Sequence, residues 1–229
     1  MRSIDLRRLI PAALTLLMTA CSAPAPKSSA TAPATTESAP AAAPAPSAPA
    51  STTTPLPARV APAGYGAALK EQFAEAVGAM KDGKDEQAVA LFNGIAQQYP
   101  ELASPHTNLG ILYYRQGRLD VAEAAFKEAL KHDHQDYVSA NYLGMIYRLQ
   151  GRFGEAKAAY LQALAAKPDY ALAHLNIAIL DDLYTGELDQ ALEQYRQYQQ
   201  DGGANDPRLA GWLADLEQRI KNAGGKTPP

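Results

Sequence analysis

Cysteine is all but missing from this chain: its 229 residues hold one, Cys21. A lone cysteine excludes an intrachain disulfide and a thiolate metal cluster. Long apolar runs are missing too, because the N-terminal one, residues 9–18, is broken by Pro11 and falls far short of the roughly 20 residues that span a hydrocarbon core. Basic clusters are lacking: from Tyr65 onward 16 Lys/Arg face 22 Asp/Glu, a net charge of −6 against −3 for the whole chain. That balance argues against nucleic acid as a partner, since non-specific binding needs clustered cations to displace counterions. Nor is there a GxSxG elbow, a phosphate loop or an HExxH helix, so no catalytic, cofactor-binding or metal-binding residue is assigned and the chain reads as a non-enzyme. The one cluster of ligand-type side chains is His132-Asp133-His134-Gln135-Asp136. An enzyme or metal protein using the His132/His134 segment is the reading that differs most in class. Only His132 and Asp136 share the i, i+4 spacing that converges on one helical face, and a short polar run at a helix end is more often a connector.

What the sequence has in quantity is periodicity. Over residues 103–170 one pattern is written twice at a 34-residue spacing: Leu109-Gly110, Tyr113, Gly117, Ala122, Phe126 and Ala129 return as Leu143-Gly144, Tyr147, Gly151, Ala156, Tyr160 and Ala163. Period and order resemble the tetratricopeptide repeat, a helix-turn-helix unit that stacks into a superhelix. The resemblance implies an all-α fold of about four units, near residues 69–102, 103–136, 137–170 and 171–205, in an array over 65–206. Gly110 and Gly144 are expected where paired helices approach closely, facing Ala122 and Ala156, with Tyr113 and Tyr147 filling the wider gap. Gly117 and Gly151 are expected at the turns, where glycine accepts a positive φ.

The outer units depart from this pattern in readable ways. In the first, the opening helix over 69–80 has Glu75-Ala76 for Leu-Gly and Ala79 for Tyr, whereas Ala88, Phe92, Ile95 and Pro100 mark a regular second helix. The fourth carries one extra residue between Ala178 and Gly186, which predicts a π-bulge or a longer turn. Pro168 stops the third unit, while His134 stands at that position in the second. Asp206-Pro207 reads as an N-cap followed by proline at the first helical position, opening a capping helix over 207–221. Its Leu209, Trp212, Leu213, Leu216 and Ile220 form one face that covers the fourth unit, with Trp212 contributing most. Residues 222–229 read as a disordered tail.

Ahead of the array, Arg2, Arg7 and Arg8 followed by the short apolar run read as a signal peptide over 1–20. Leu17-Met18-Thr19-Ala20-Cys21 resembles the lipobox of bacterial lipoproteins. That resemblance implies cleavage before Cys21, a diacylglyceryl thioether on its sulfur and usually an amide-linked acyl chain. Two or three acyl chains at about 0.8 kcal/mol per buried CH₂ anchor a protein stably, where one chain does not. Ser22 in place of Asp resembles lipoproteins sorted to the outer membrane, which implies a periplasm-facing location. Residues 22–64 are almost all Ala, Pro, Ser and Thr, with Lys27, Glu37 and Arg59 the only charges. Such a segment buries too little apolar surface to offset its ordering entropy. Residues 21–64 therefore read as a lipidated, disordered tether, roughly 35 Å end to end as a coil and about 130 Å fully extended.

In tetratricopeptide proteins the first helices line a concave groove that holds partner peptides. Carried over position by position, the resemblance nominates Ser104, Thr107, Asn108, Ile111, Tyr114 and Arg115 in the second unit. It nominates Val138, Asn141, Tyr142, Met145 and Arg148 in the third, and Leu172, Leu175, Asn176, Ile179 and Asp182 in the fourth. Asn amides can pair with an extended backbone, Arg with carboxylates, and Tyr and Met with apolar side chains; the aliphatic members serve equally as packing between repeats. The Lys/Asn/Arg clamp by which some family members grip a chaperone's C-terminal carboxylate is incomplete, because Asn108 matches one position but Phe73 and Val77 stand at the first-repeat Lys and Asn. The sequence thus predicts a lipid-anchored scaffold that binds an envelope protein or an extended peptide. In character it resembles the repeat lipoproteins that assist pilus or secretion-pore assembly; an adaptor for peptidoglycan hydrolases, with the tether providing reach, is the alternative.

Overall fold

A computed structural model describes residues 58–64 and 66–224; the expected signal peptide, Cys21, most of the expected tether and the residues beyond 224 lie outside them. Among the described residues there is no strand, and nine α-helices follow one another: α1 (Ala67–Lys81), α2 (Asp85–Gln98), α3 (Ala103–Arg115), α4 (Leu119–His132), α5 (Tyr137–Leu149), α6 (Phe153–Ala166), α7 (Ala171–Leu180), α8 (Leu188–Gln200) and α9 (Leu209–Gly224). Each odd-numbered helix from α1 to α7 packs on the helix after it, each pair packs on the next, and α3, α5 and α7 touch along one side. The pairs form because every even helix buries one stripe at i, i+4, i+7: Ala88-Phe92-Ile95, Ala122-Phe126-Ala129, Ala156-Tyr160-Ala163 and Ala191-Tyr195-Tyr198. The inner helices have neighbours on more sides, and α7 accordingly buries eight of its ten residues.

Four turn glycines, Gly83, Gly117, Gly151 and Gly186, share φ values of 72–74°, in the left-handed region that side chains resist. Their spacings of 34, 34 and 35 residues locate the extra residue of the fourth unit. It is absorbed as a π-turn, Asp181–Thr185, continuous with α7. The turn puts two adjacent carboxylates to different uses. Asp181, with a side chain only 1% exposed, pairs with Lys157 of α6 at 3.1 Å, and Lys157 also reaches Glu187 and, at 2.8 Å, Gln190. Asp182 receives Arg219 of α9 at 2.6 Å. One widened turn thereby joins the third repeat to the capping helix.

The structure corrects several expectations. At Gly110 and Gly144 the close neighbour is not Ala122 or Ala156 but the aromatic four residues on: a Cβ at 144 would lie 2.4 Å from Cδ1 and Cε1 of Tyr160, and one at 110 would lie 2.6 Å from Phe126. The buried face of α9 is carried by Leu209 and Leu216, while Trp212 is half-buried, 5.6 Å from the Tyr195 ring and under the Arg208 guanidinium. Helix α9 starts at Leu209, two residues after Pro207, and Asp206 Oδ1 accepts the Arg208 N–H at 3.0 Å. In the second unit, which has no proline stop, the Asp133 carboxylate accepts the Gln135 N–H at 3.0 Å and turns the chain out of α4. Residues 58–61 are expected to belong to a disordered tether, yet Ala58 and Ala61 pack against the core of the array. No described helix is long and apolar enough to cross a membrane.

Candidate functional site

The inner face is defined best by the segment lying on it, residues 58–62. Asn108 of α3 donates from Nδ2 to the Arg59 carbonyl at 2.9 Å and accepts the Arg59 N–H on Oδ1 at 2.9 Å. One side-chain amide thus satisfies both backbone polar groups of a single residue, an arrangement that reads backbone and not side chain. The Arg59 guanidinium continues to Asp136 Oδ1 at 2.9 Å, lies 3.9 Å from Asp133 and sits 5.2 Å from the Tyr137 ring centroid. Val60 points away and is 72% exposed.

Asp136 is built into place by the connector before α5. As N-cap of that helix it accepts the Val138 N–H at 3.2 Å, and its other oxygen accepts the Thr107 hydroxyl at 2.5 Å and the Ser139 hydroxyl at 2.7 Å. Helix N-termini favour such a carboxylate because the first N–H groups lack partners and the dipole is positive there. The charge is nevertheless fully buried, and among the described residues Arg59 is the one cation within ion-pair distance of it. Lys167 approaches the same Tyr137 ring at 5.1 Å. Nearby Tyr170 is edge-on to Tyr137 at 4.8 Å, and burial pushes its phenol far above the usual tyrosine range.

The structure divides the sixteen nominated groove residues. Thr107, Asn108, Ile111, Val138, Asn141, Tyr142, Arg148, Leu175, Asn176 and Ile179 are buried, and Asn108 is covered by residues 58–62. Asn141 and Asn176 bond to each other, Nδ2 of Asn176 to Oδ1 of Asn141 at 3.0 Å. Arg148 is held beside Tyr184, 5.7 Å from its ring. Arg115 is exposed but binds the Met80 carbonyl and Asp85 of the first unit, and Asp182 binds Arg219, so both link neighbours. Ser104, Tyr114, Met145 and Leu172 remain half-buried along the inner helices. Tyr142 stacks on Phe126 at 4.9 Å and meets Tyr114 edge-on at 5.2 Å, which fixes Tyr114 as an aromatic wall.

Two residues of the site escape sequence reasoning. Arg59 belongs by composition to the expected tether, although it is the last of only three charges in residues 22–64. Asp136 reads as part of a polar connector, although its equivalents one repeat away are Leu102 and Tyr170. A charge where the sister repeats carry apolar residues is the available signal.

Among the described residues no group of three or more His, Cys, Asp and Glu could hold a metal ion. His132 instead stacks on His106 at 5.6 Å and lies 3.3 Å from Glu128. Burial first, and then His132, hold the His106 pKa below its ordinary 6.5, with Glu128 acting the other way. A folded-state pKa below the unfolded value contributes stability that is present above pH 6.5 and is lost as pH falls through the folded value. Between about pH 7 and pH 5 the melting temperature of the natural chain is therefore expected to fall more steeply than that of His106→Gln. Parallel pH profiles would show that this histidine contributes nothing.

A tetratricopeptide-repeat family model matches residues 107–171 and 142–180. Among solved structures, pilF of Pseudomonas aeruginosa is similar with a TM-score of 0.59 at 21% identity, over 66% of this chain and 68% of that one. MamA of Desulfovibrio magneticus RS-1 gives 0.58 at 17%, over 68% and 87%. The tetratricopeptide protein TTC0263 of Thermus thermophilus gives 0.54 at 24%, over 65% and 81%. No curated protein matches the chain. Identities this low establish the fold alone.

Proposed function

We propose that this chain, a tetratricopeptide-repeat protein, is a lipid-anchored interaction scaffold of the bacterial envelope that holds an extended segment of a partner protein on the inner face of its repeats. The fold suits a protein–protein interaction scaffold, and such repeats are generally non-enzymatic. The observation that carries the groove reading is the paired hydrogen bonding of Asn108 to both backbone groups of Arg59. It matches the chemistry by which an Asn amide recognises extended chain of any sequence. Tyr114, Met145 and Leu172, half-buried on α3, α5 and α7, offer apolar surface for its side chains. Membrane attachment rests on the lipobox-like residues 17–21, and a role in assembling a pilus or secretion pore rests on the resemblance in architecture to lipoproteins of that kind.

The reading is tested with the full chain expressed in its own envelope. Crosslinking followed by capture should recover a defined partner with the natural protein and lose it with Tyr114→Ala/Met145→Ala, whose positions are half-buried and whose melting temperature serves as the folding control. Equal recovery would exclude the inner face as the binding surface, and recovery of a peptidoglycan hydrolase would favour the adaptor role over assembly of a pilus or secretion pore. Cys21→Ala should move the protein from the membrane to the soluble fraction; unchanged fractionation would remove the lipid anchor.

A further inference from the structure

We propose that residues 58–62 are an intramolecular ligand of the groove, and that a partner takes the site by exchange, offering an extended backbone to Asn108 and a guanidinium to Asp136. The inference rests on the groove reading above and adds to it both a gate and a chemical selectivity.

The contacts divide into a general part and a specific one. Asn108 bonds to backbone and accepts any non-proline residue in extended conformation. Asp136 does not, because it is a buried carboxylate whose three bonds from Val138, Thr107 and Ser139 are all neutral. The Arg59 guanidinium supplies the compensating charge, with Asp133 at 3.9 Å on its flank and the Tyr137 ring at 5.2 Å. Removing one partner of such a pair leaves a buried charge uncompensated, an outcome disfavoured more strongly than losing a neutral bond. An incoming segment that lacks a cation would therefore inherit that penalty, whereas one carrying arginine between small residues would not. Arginine suits the place better than lysine because its planar head can face a carboxylate and an aromatic ring together.

The strap has the properties of a competitor that can leave. It is short, its Val60 is solvent-facing, and it joins α1 through Gly64, whose φ of 93° marks a turn. Its attachment keeps its local concentration high, so a free peptide meets a site already filled.

Two measurements on the full chain decide the matter. The first is trypsin cleavage at Arg59–Val60, with Lys27–Ser28 as the reference bond and the bonds after Arg152 and Lys157 as the folding control. A docked Arg59 cannot enter the protease, so cleavage there should rise at least tenfold in Asn108→Ala while the α6 bonds stay intact. Equal cleavage in the natural chain and the variant overturns the strap. The second is fluorescence anisotropy with a labelled hexapeptide, Pro-Ala-Arg-Val-Ala-Pro, and the same peptide with alanine in place of arginine. Arg59→Ala should bind the arginine peptide at least tenfold more tightly than the natural chain does, and tenfold more tightly than it binds the alanine peptide. Asp136→Asn added to Arg59→Ala should abolish that preference. Failure of the Arg59→Ala chain to bind the arginine peptide, or equal binding of both peptides, overturns the exchange. Cleavage at Arg59 reports the strap whether or not an envelope partner is ever captured, so failure of the strap and failure of the scaffold reading are told apart.

Discussion

Gly144→Ala is expected to lower the unfolding free energy by about 2 kcal/mol even though alanine is the better helix former. The added methyl would sit 2.4 Å from Cδ1 and Cε1 and 2.9 Å from Cγ of Tyr160. These atoms form the body of a ring that is fully buried, so relief requires the ring or α5 to move. Overpacking of this kind costs about 1–3 kcal/mol and sometimes more, and it outweighs a propensity gain of about 1 kcal/mol. Gly94→Ala in α2 is the matched control: its Cβ would meet nothing within 4 Å, so only the propensity gain of roughly 0.5–1 kcal/mol should appear. Urea melts with unchanged slope would read both. A Gly144→Ala chain as stable as the natural one would mean that the helices are not in contact at this point.

Lys157→Ala is expected to cost about 2 kcal/mol near neutral pH, by stranding the Asp181 carboxylate in the π-turn. Breaking a fully buried pair costs about 3–5 kcal/mol; the lower figure applies because the Lys157 side chain is 27% exposed and water can partly replace it. Asp181→Asn added to Lys157→Ala should recover most of the loss, since an amide carries no charge to strand. The pH dependence has a definite sign. Burial above all raises the Asp181 pKa from its ordinary 3.8, with Lys157 opposing the rise. A carboxyl whose folded pKa lies above the unfolded one favours the fold at low pH and loses that contribution as pH rises through the folded value. Without Lys157 the opposition is gone, so the deficit should shrink as the pH is lowered from about 7 toward 5. A deficit that stays constant with pH, or that the double variant leaves in place, would assign the loss to packing of the lysine stem.

The repeats were legible because their restraints are local and periodic. Gly117 and Gly151 mark turns through their own backbone freedom, and Ala122-Phe126-Ala129 marks a buried stripe through helical spacing. The extra residue before Gly186 was countable, and the π-turn is the consequence of that count. The groove was legible as a face but not as a list of contacts. Position in a repeat says which way a side chain sets out, not what it meets, and Asn141 meets Asn176 while Arg115 meets the Met80 carbonyl. Similar logic explains Trp212: spacing put it on the buried face, but α9 is turned so that Leu209 and Leu216 take the deepest places.

By itself the sequence determined the class of fold, the number of units, the turns and the place where the period slips, because each of these depends on residues within one helical hairpin. Only the tertiary structure decided that Arg59 meets Asp136, 77 positions away, and that Asn108 reads its backbone. Those contacts depend on how α3 and α5 stack, which brings Thr107, Ser139 and the end of the connector around one buried carboxylate. A charge is costly to bury alone, so its counterion is chosen by the assembled surface and not by neighbours in the chain.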